Sequence, residues 1–130
     1  LEAAPGFMLV VSYNPGYQRK IKELKPSTRQ RFVAMSFAYP PPDVEAEIIE
    51  VESGVEKDTA RRLAALGHKI RGLEELGLAE TVSTRLLVYA AKAIAAGVAP
   101  RRACRMAVAE PLSDDADVIE SIADLAALAF

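Results

Sequence analysis

Two apolar runs near the beginning of the chain differ in pattern from everything after them. Residues 7–11 are uninterrupted apolar side chains, and a second apolar run extends from Phe32 to Phe37. Continuous apolar runs of this length are typical of strands that are covered on both faces, as in a parallel sheet. Because two parallel strands do not make a stable sheet alone, we expect the other strands of this α/β segment to lie upstream, in a larger protein.

Three consecutive prolines, residues 40–42, mark a predicted domain boundary, since they fix an extended path and lack backbone donors. Every apolar repeat after them has helical spacing. Gly67 and His68 are expected to interrupt the second of these helices. The predicted inward-facing positions are Val44, Ile48 and Val51; Ala60, Leu63, Ala64 and Ile70; Leu86, Leu87, Ala90, Ala91 and Ile94; Ala103, Cys104, Ala107 and Val108; and Ile119, Ile122, Leu125 and Leu128 or Ala129. The predicted fold class is therefore α/β plus α, with an α/β segment over residues 1–42 and an all-helical domain over residues 43–130.

Asn14 follows the first predicted strand, and Pro15 and Gly16 turn the chain directly after it. Parallel sheets bind ligands at the carboxyl ends of their strands. An amide placed there offers both a donor and an acceptor to a phosphate or to an attacking water. The alternative is that Asn14 only caps the turn, as Asn often does before Pro-Gly.

Three arginines, in two parts of the chain, lie where a long cation is unexpected. Arg29 and Arg31 come just before the second predicted strand, and Arg85 falls in the first turn of the helix that Ser83 is expected to cap. A positive charge in the first turn opposes the helix dipole, and a residue placed against its local preference is a candidate for function. The alternative for Arg85 is an ordinary surface arginine.

Composition excludes several classes of function. A net charge of -2 argues against a general nucleic-acid surface. No apolar run approaches the roughly 18 residues of a membrane span, and no secretory signal is visible, so a cytoplasmic protein is expected. The single His68 has no second ligand at metal-binding spacing, and Cys104 lies on an apolar stripe as a small core residue. Arg101, Arg102 and Arg105 precede several carboxylates, which indicates a salt-bridged or partner-binding face rather than an anion site.

Five stretches, taken together and in order, resemble the CbbQ/NirQ/NorQ group of MoxR-type AAA+ ATPases over nearly the whole chain. They are Ser12–Gln18, Leu24–Phe32, Tyr39–Glu47, Ser83–Ala91 and Glu110–Asp115. The resemblance implies the last part of a P-loop nucleotide-binding core followed by a helical lid. It also implies ATP hydrolysis between the subunits of a ring, commonly a hexamer.

The resemblance also implies roles for particular residues. Asn14 matches sensor 1, Arg31 matches the arginine finger with Arg29 as the competing candidate, and Arg85 looks like sensor 2, which contacts the γ-phosphate. The implied cofactors are ATP and Mg²⁺. No Gly-x-x-x-x-Gly-Lys-Ser/Thr loop occurs in these residues, so the phosphate loop and the magnesium-binding acid would lie upstream, and the chain alone should not hydrolyse ATP.

The implied partners are further copies of the chain in a ring, a protein with a von Willebrand factor A domain, and a client metalloenzyme. Members of the resembled group act as chaperones or activators of Rubisco or of denitrification reductases such as nitric oxide reductase. Neither nucleic acid nor a membrane is expected to bind. Two other interpretations stay open: residues 43–130 as a non-enzymatic helical interaction module, and, less favoured by the acidic charge, a helix-turn-helix around residues 83–110.

Overall fold

A computed structural model describes residues 2–12, 25–73 and 81–130. These residues form two compact units, a first unit (Leu1–Phe37) and a helical unit (Ala38–Phe130). Asn14 and the predicted turn after it lie outside the described residues. The boundary predicted after residue 42 stays a prediction.

The first unit contains one short regular element within its described residues, helix α1 (Pro26–Arg29). The two predicted strands are not seen in this structure: residues 7–12 and 33–37 form no strand, and their large apolar side chains are exposed, from 46% at Val11 to 95% at Val33. A strand needs a neighbour for its N–H and C=O groups, and the described residues provide none. The α/β part of the predicted fold class is therefore not seen here, whereas the helical part is confirmed.

The helical unit contains α2 (Pro42–Ser53), α3 (Lys57–Arg71), α4 (Thr84–Ala95), α5 (Pro100–Cys104), α6 (Glu110–Leu112) and α7 (Ala116–Ala129). Proline stands in the first helical position of α2 and α5, where its missing N–H costs no hydrogen bond. Gly54 ends α2 with a φ of 72°, a left-handed conformation that favours glycine. Helix α7 begins at Ala116, where the Asp115 side chain caps it by accepting a hydrogen bond from the Asp117 N–H at 2.9 Å.

The core of the helical unit lies where α2 packs on α3 and α4, and where α7 packs on the segment after α5. Most predicted inward positions of α3, α4 and α5 are confirmed, including Leu63, Ile70 and Leu87, which are fully buried. The prediction for α2 is wrong. Its residues Val44, Ile48 and Val51 are 37% to 83% exposed, and the opposite face, which carries Glu45, Ala46 and Ile49, is buried instead.

Helix α3 continues without a break through Gly67 and His68, contrary to the prediction. A β-carbon on Gly67 would lie only 2.6 Å from Leu87 Cδ1, so this glycine lets α3 approach α4 closely. A larger residue at position 67 would have to displace the buried Leu87 side chain.

A widened π-helical turn (Arg105–Ala109) joins α5 to α6, and at its end the Glu110 N–H donates to the Arg105 carbonyl, five residues back. Pro111 accounts for it, because a proline ring collides with the carbonyl four residues earlier and cannot donate to it. The turn keeps Val108 and Ala109 in the core.

In the described part of the chain, no helix is long and apolar enough to cross a membrane.

Candidate functional site

Arg29 and Arg31 lie at the end of α1, where the Arg31 N–H donates to the Thr28 carbonyl at 3.1 Å and the Phe32 N–H donates to the Arg29 carbonyl at 3.1 Å. Both side chains are exposed. Neither forms an ion pair with any other residue that the structure describes. The turn therefore exposes two guanidinium groups, two residues apart, to solvent.

Arg85 is the second residue of α4 and is also exposed. Ser83 stands at the N-cap position as predicted, but its side chain makes no capping hydrogen bond. The first turn of α4 contains no acidic residue, so its N-terminal end carries the positive end of the helix dipole and the Arg85 charge together. This end of α4 is suited to an anion.

A buried ion pair lies directly beside the start of α4. Arg71, the last residue of α3, donates from Nη1 to Glu45 Oε2 and from Nη2 to Glu45 Oε1, both at 2.7 Å. The Glu45 side chain is 1% exposed and the Arg71 side chain 11%. Two parallel charge-assisted hydrogen bonds of this kind fix both the distance and the orientation of the two groups.

The ion pair extends to the first turn of α4 and to the residues before it. The Thr84 hydroxyl donates to Glu45 Oε1 at 2.6 Å, and Arg71 Nε donates to the Val82 carbonyl at 2.9 Å. The Arg71 guanidinium carbon also lies 3.8 Å from the centre of the Tyr39 ring, in cation–π geometry. We call Tyr39, Glu45, Arg71 and Thr84 the Glu45 cluster.

Sequence reasoning missed the Glu45 cluster. Glu45 and Glu47 are equivalent in the linear pattern, and the partner Arg71 lies 26 residues further along the chain. Glu45 and Ile49 lie on the same face of α2, and this alignment could have indicated the buried face. The apolar pair Val44 and Ile48 instead favoured the face that is exposed.

Arg105, in the π-helical turn, is paired with two carboxylates. Arg105 pairs with Glu120 at 2.8 Å and with Glu110 at 3.4 Å, which confirms the predicted salt-bridged face at this position. The hydrogen bond to Glu120 and the charge of Glu120 raise the pKa of Arg105 above its ordinary value. Arg101 and Arg102 are exposed.

Cys104 is buried, and burial raises the pKa of its thiol to about 11. Such a thiol is a packing group rather than a nucleophile. Across residues 2–12, 25–73 and 81–130, no group of three or more His, Cys, Asp or Glu side chains is arranged to hold a metal ion.

Residues 45–129 match the family described as CbbQ/NirQ/NorQ C-terminal. The chain belongs to this family. It is 55% identical over 125 residues to the denitrification regulatory protein NirQ of Pseudomonas aeruginosa, and 56% identical over 130 residues to the protein NorQ of Paracoccus denitrificans. It is also 52% identical over 118 residues to the protein CbbQ of Hydrogenophilus thermoluteolus.

These alignments cover 96%, 100% and 91% of the chain, respectively. They cover 48%, 48% and 44% of the relatives, so the chain spans about half the length of the curated relatives it matches. The resemblance predicted from the sequence is thereby confirmed at the level of the family. The matched CbbQ/NirQ/NorQ residues contain Glu45, Arg71 and Thr84 together with Arg85, whereas Tyr39 precedes them.

Proposed function

We propose that this chain is the C-terminal part of an AAA+ ATPase that couples ATP hydrolysis in a ring to the activation of a client metalloenzyme. Membership of the CbbQ/NirQ/NorQ family supports the proposal, as does the name of the Pseudomonas aeruginosa relative, denitrification regulatory protein NirQ. In this proposal residues 1–42 complete the nucleotide-binding core, and residues 43–130 form the helical lid.

The observation that carries the proposal is the exposed Arg85 at the N-terminus of a 12-residue helix. In isolation, the helix dipole opposes this positive charge. With a phosphate bound, the helix N-terminus and the guanidinium both favour the same anion. We propose that Arg85 contacts the γ-phosphate of ATP as sensor 2.

Phosphoryl transfer is catalysed chiefly by positioning and by neutralising the charge that spreads over the phosphate oxygens. Arg31, exposed after α1, is the proposed arginine finger that reaches the nucleotide of a neighbouring subunit, with Arg29 as the alternative. In nucleotide hydrolases such a finger raises the rate by roughly 10³ to 10⁵. Asn14, outside the described residues, is the proposed sensor 1 that orients the attacking water, and the ligands of ATP and Mg²⁺ would come mainly from upstream.

The proposed assembly is a cytoplasmic ring, a hexamer, that works with a partner carrying a von Willebrand factor A domain. The proposed client is Rubisco or a denitrification reductase such as nitric oxide reductase. The names NirQ, NorQ and CbbQ among the relatives support this range of clients without selecting one.

The test is the ATPase rate of the full-length protein as a function of its concentration. We expect a cooperative rise with concentration, and a loss of activity in Arg85→Ala and Arg31→Ala but not in the control Arg102→Ala, which removes an exposed arginine elsewhere in the helical unit. Arg29→Ala, measured beside Arg31→Ala, assigns the finger.

Mixing the Arg31→Ala variant with the wild type separates a finger that acts across subunits from one that acts within its own. A finger in trans makes each variant subunit inactivate a neighbour, so activity should fall faster than the wild-type fraction. If Arg31→Ala and Arg85→Ala both keep wild-type activity, these residues are ordinary surface arginines. The helical interaction module is then the better description.

A further inference from the structure

We infer that the Glu45 cluster positions Arg85. The cluster does so by joining the chain segment around Tyr39 to the start of α4. This inference rests on the proposed role of Arg85 in contacting the γ-phosphate. It assigns a role to four residues, Tyr39, Glu45, Arg71 and Thr84, that do not touch the nucleotide themselves.

The hydrogen bonds of the cluster are complete and directional. Glu45 Oε1 accepts from both Arg71 and Thr84, Glu45 Oε2 accepts from Arg71, and Arg71 Nε donates to the Val82 carbonyl. A buried ion pair is commonly no more stabilising than a well-packed apolar pair of the same volume. What these bonds supply, and apolar contacts would not, is a fixed angle and distance between three helices.

The cluster holds the chain on both sides of Ser83, the N-cap residue of α4. Arg71 holds the Val82 carbonyl before it, and Glu45 holds the Thr84 hydroxyl after it. Adjacent Cα atoms across a trans peptide are about 3.8 Å apart, so Arg85 follows the second anchor at the shortest possible distance. The start of α4 therefore cannot tilt or fray without breaking a hydrogen bond to a buried charge.

Tyr39 connects the cluster to the beginning of the helical unit. Its ring stacks on Arg71, and it stands two residues after Phe37, where the first unit ends. Residues 40–42 are prolines, which make the path from Tyr39 to α2 stiff. A displacement of the chain at Tyr39 is thus passed to Arg71 directly and to Glu45 through a short, rigid segment.

The test measures how strongly the full-length protein prefers a non-hydrolysable ATP analogue over ADP. Thr84→Val removes the hydroxyl at nearly constant volume, whereas Thr84→Ser, the control, keeps a hydroxyl. We expect Arg85→Ala to lower the preference roughly tenfold or more, and Thr84→Val to lower it roughly threefold or more. ADP affinity should stay unchanged in both variants, and Thr84→Ser should behave as wild type.

The double variant Thr84→Val with Arg85→Ala distinguishes positioning from a general loss of stability. If the cluster acts through Arg85, removing the hydroxyl has no further effect on nucleotide preference once Arg85 is absent. Tyr39→Leu should resemble Thr84→Val, whereas Tyr39→Phe, which keeps the ring face, should resemble wild type.

Two results overturn the inference while leaving the proposed function intact. One is a normal preference for the ATP analogue in Thr84→Val when Arg85→Ala has lost it. The other is a Thr84→Val variant that lowers the melting temperature, or the affinity for both nucleotides equally, without changing the preference. If Arg85→Ala keeps the full preference, or if the protein binds no ATP analogue, the proposed role of Arg85 fails and the inference fails with it.

Discussion

Cys104 shows how burial sets the chemistry of a single side chain. Its pKa is raised from 9.0 to about 11 by desolvation, so near pH 8 almost none of it is the reactive thiolate. We expect alkylating reagents to leave Cys104 unmodified in the folded protein and to modify it rapidly in denaturant. Mass spectrometry of the peptide that contains Cys104 measures both rates.

The same pKa shift gives stability a defined pH dependence. Below about pH 9 the thiol is protonated in both the folded and unfolded states and contributes no pH dependence. As the pH rises from about 9 to about 11, only the unfolded state loses the proton, so the free energy of unfolding falls. Because tyrosines and lysines titrate in the same range, the comparison is with Cys104→Ala, whose stability should fall less steeply. If the stability of the wild type and of Cys104→Ala falls equally steeply with pH, the Cys104 thiol is not the cause of the wild-type pH dependence.

Single residues were predictable from the sequence where burial followed the apolar pattern. Leu63, Ile70 and Leu87 lie on regular stripes, and all three are buried as predicted. Glu45 was not predictable, because its burial is stabilised by Arg71, a residue far along the chain, and not by anything in its own helix. The exposed positions of Arg31 and Arg85 fit the sequence, but their roles depend on a nucleotide and on neighbouring subunits.

The contact between α3 and α4 illustrates a constraint at the level of elements. Gly67 faces the buried Leu87, and no space exists there for a larger side chain. We expect Gly67→Val to lower the free energy of unfolding by about 1–3 kcal/mol, as overpacking a core does, despite the low helix propensity of glycine. Urea denaturation of the purified protein measures the change.

Ala65→Val is the matched control, since Ala65 is an exposed position of the same helix. It should change stability by only a few tenths of a kcal/mol. Combining Gly67→Val with Leu87→Ala should cost less than the sum of the two single changes, because the smaller side chain relieves the contact. Strict additivity would show that the two residues do not press on each other.

Elements were predictable when their hydrogen bonds are local and were not when they depend on other segments. A helix satisfies its own backbone, so apolar residues at helical spacing were enough to indicate α2 to α5. A parallel strand needs neighbouring strands. The described residues of the first unit contain no strand that could pair with residues 7–11 or 33–37. The π-helical turn before Pro111 also escaped prediction, since apolar spacing alone does not distinguish it from an α-helical turn.

In the helical unit, the buried ion pair between Glu45 and Arg71 joins α2 to α3, and the Thr84 hydroxyl connects it to α4. Removing one partner of such a buried pair leaves the other charge without compensation and typically costs about 3–5 kcal/mol. We therefore expect Glu45→Ala to lower the free energy of unfolding by about this amount. Glu47→Ala removes an exposed carboxylate two residues away and should have little effect. Calorimetry or urea denaturation measures the free energy of unfolding of both variants. If Glu45→Ala is as stable as Glu47→Ala, the ion pair has no structural role.

The exposed apolar runs of the first unit favour self-association of the chain. Residues 7–11 and 33–37 expose large apolar side chains, no strand within the described ranges pairs with their backbone groups, and neither run carries a charge. Short, uncharged, β-prone segments with open backbone groups are the sites where identical chains stack into cross-β aggregates. If the two runs are strands of the proposed nucleotide-binding core, pairing within its sheet would also protect them from self-association.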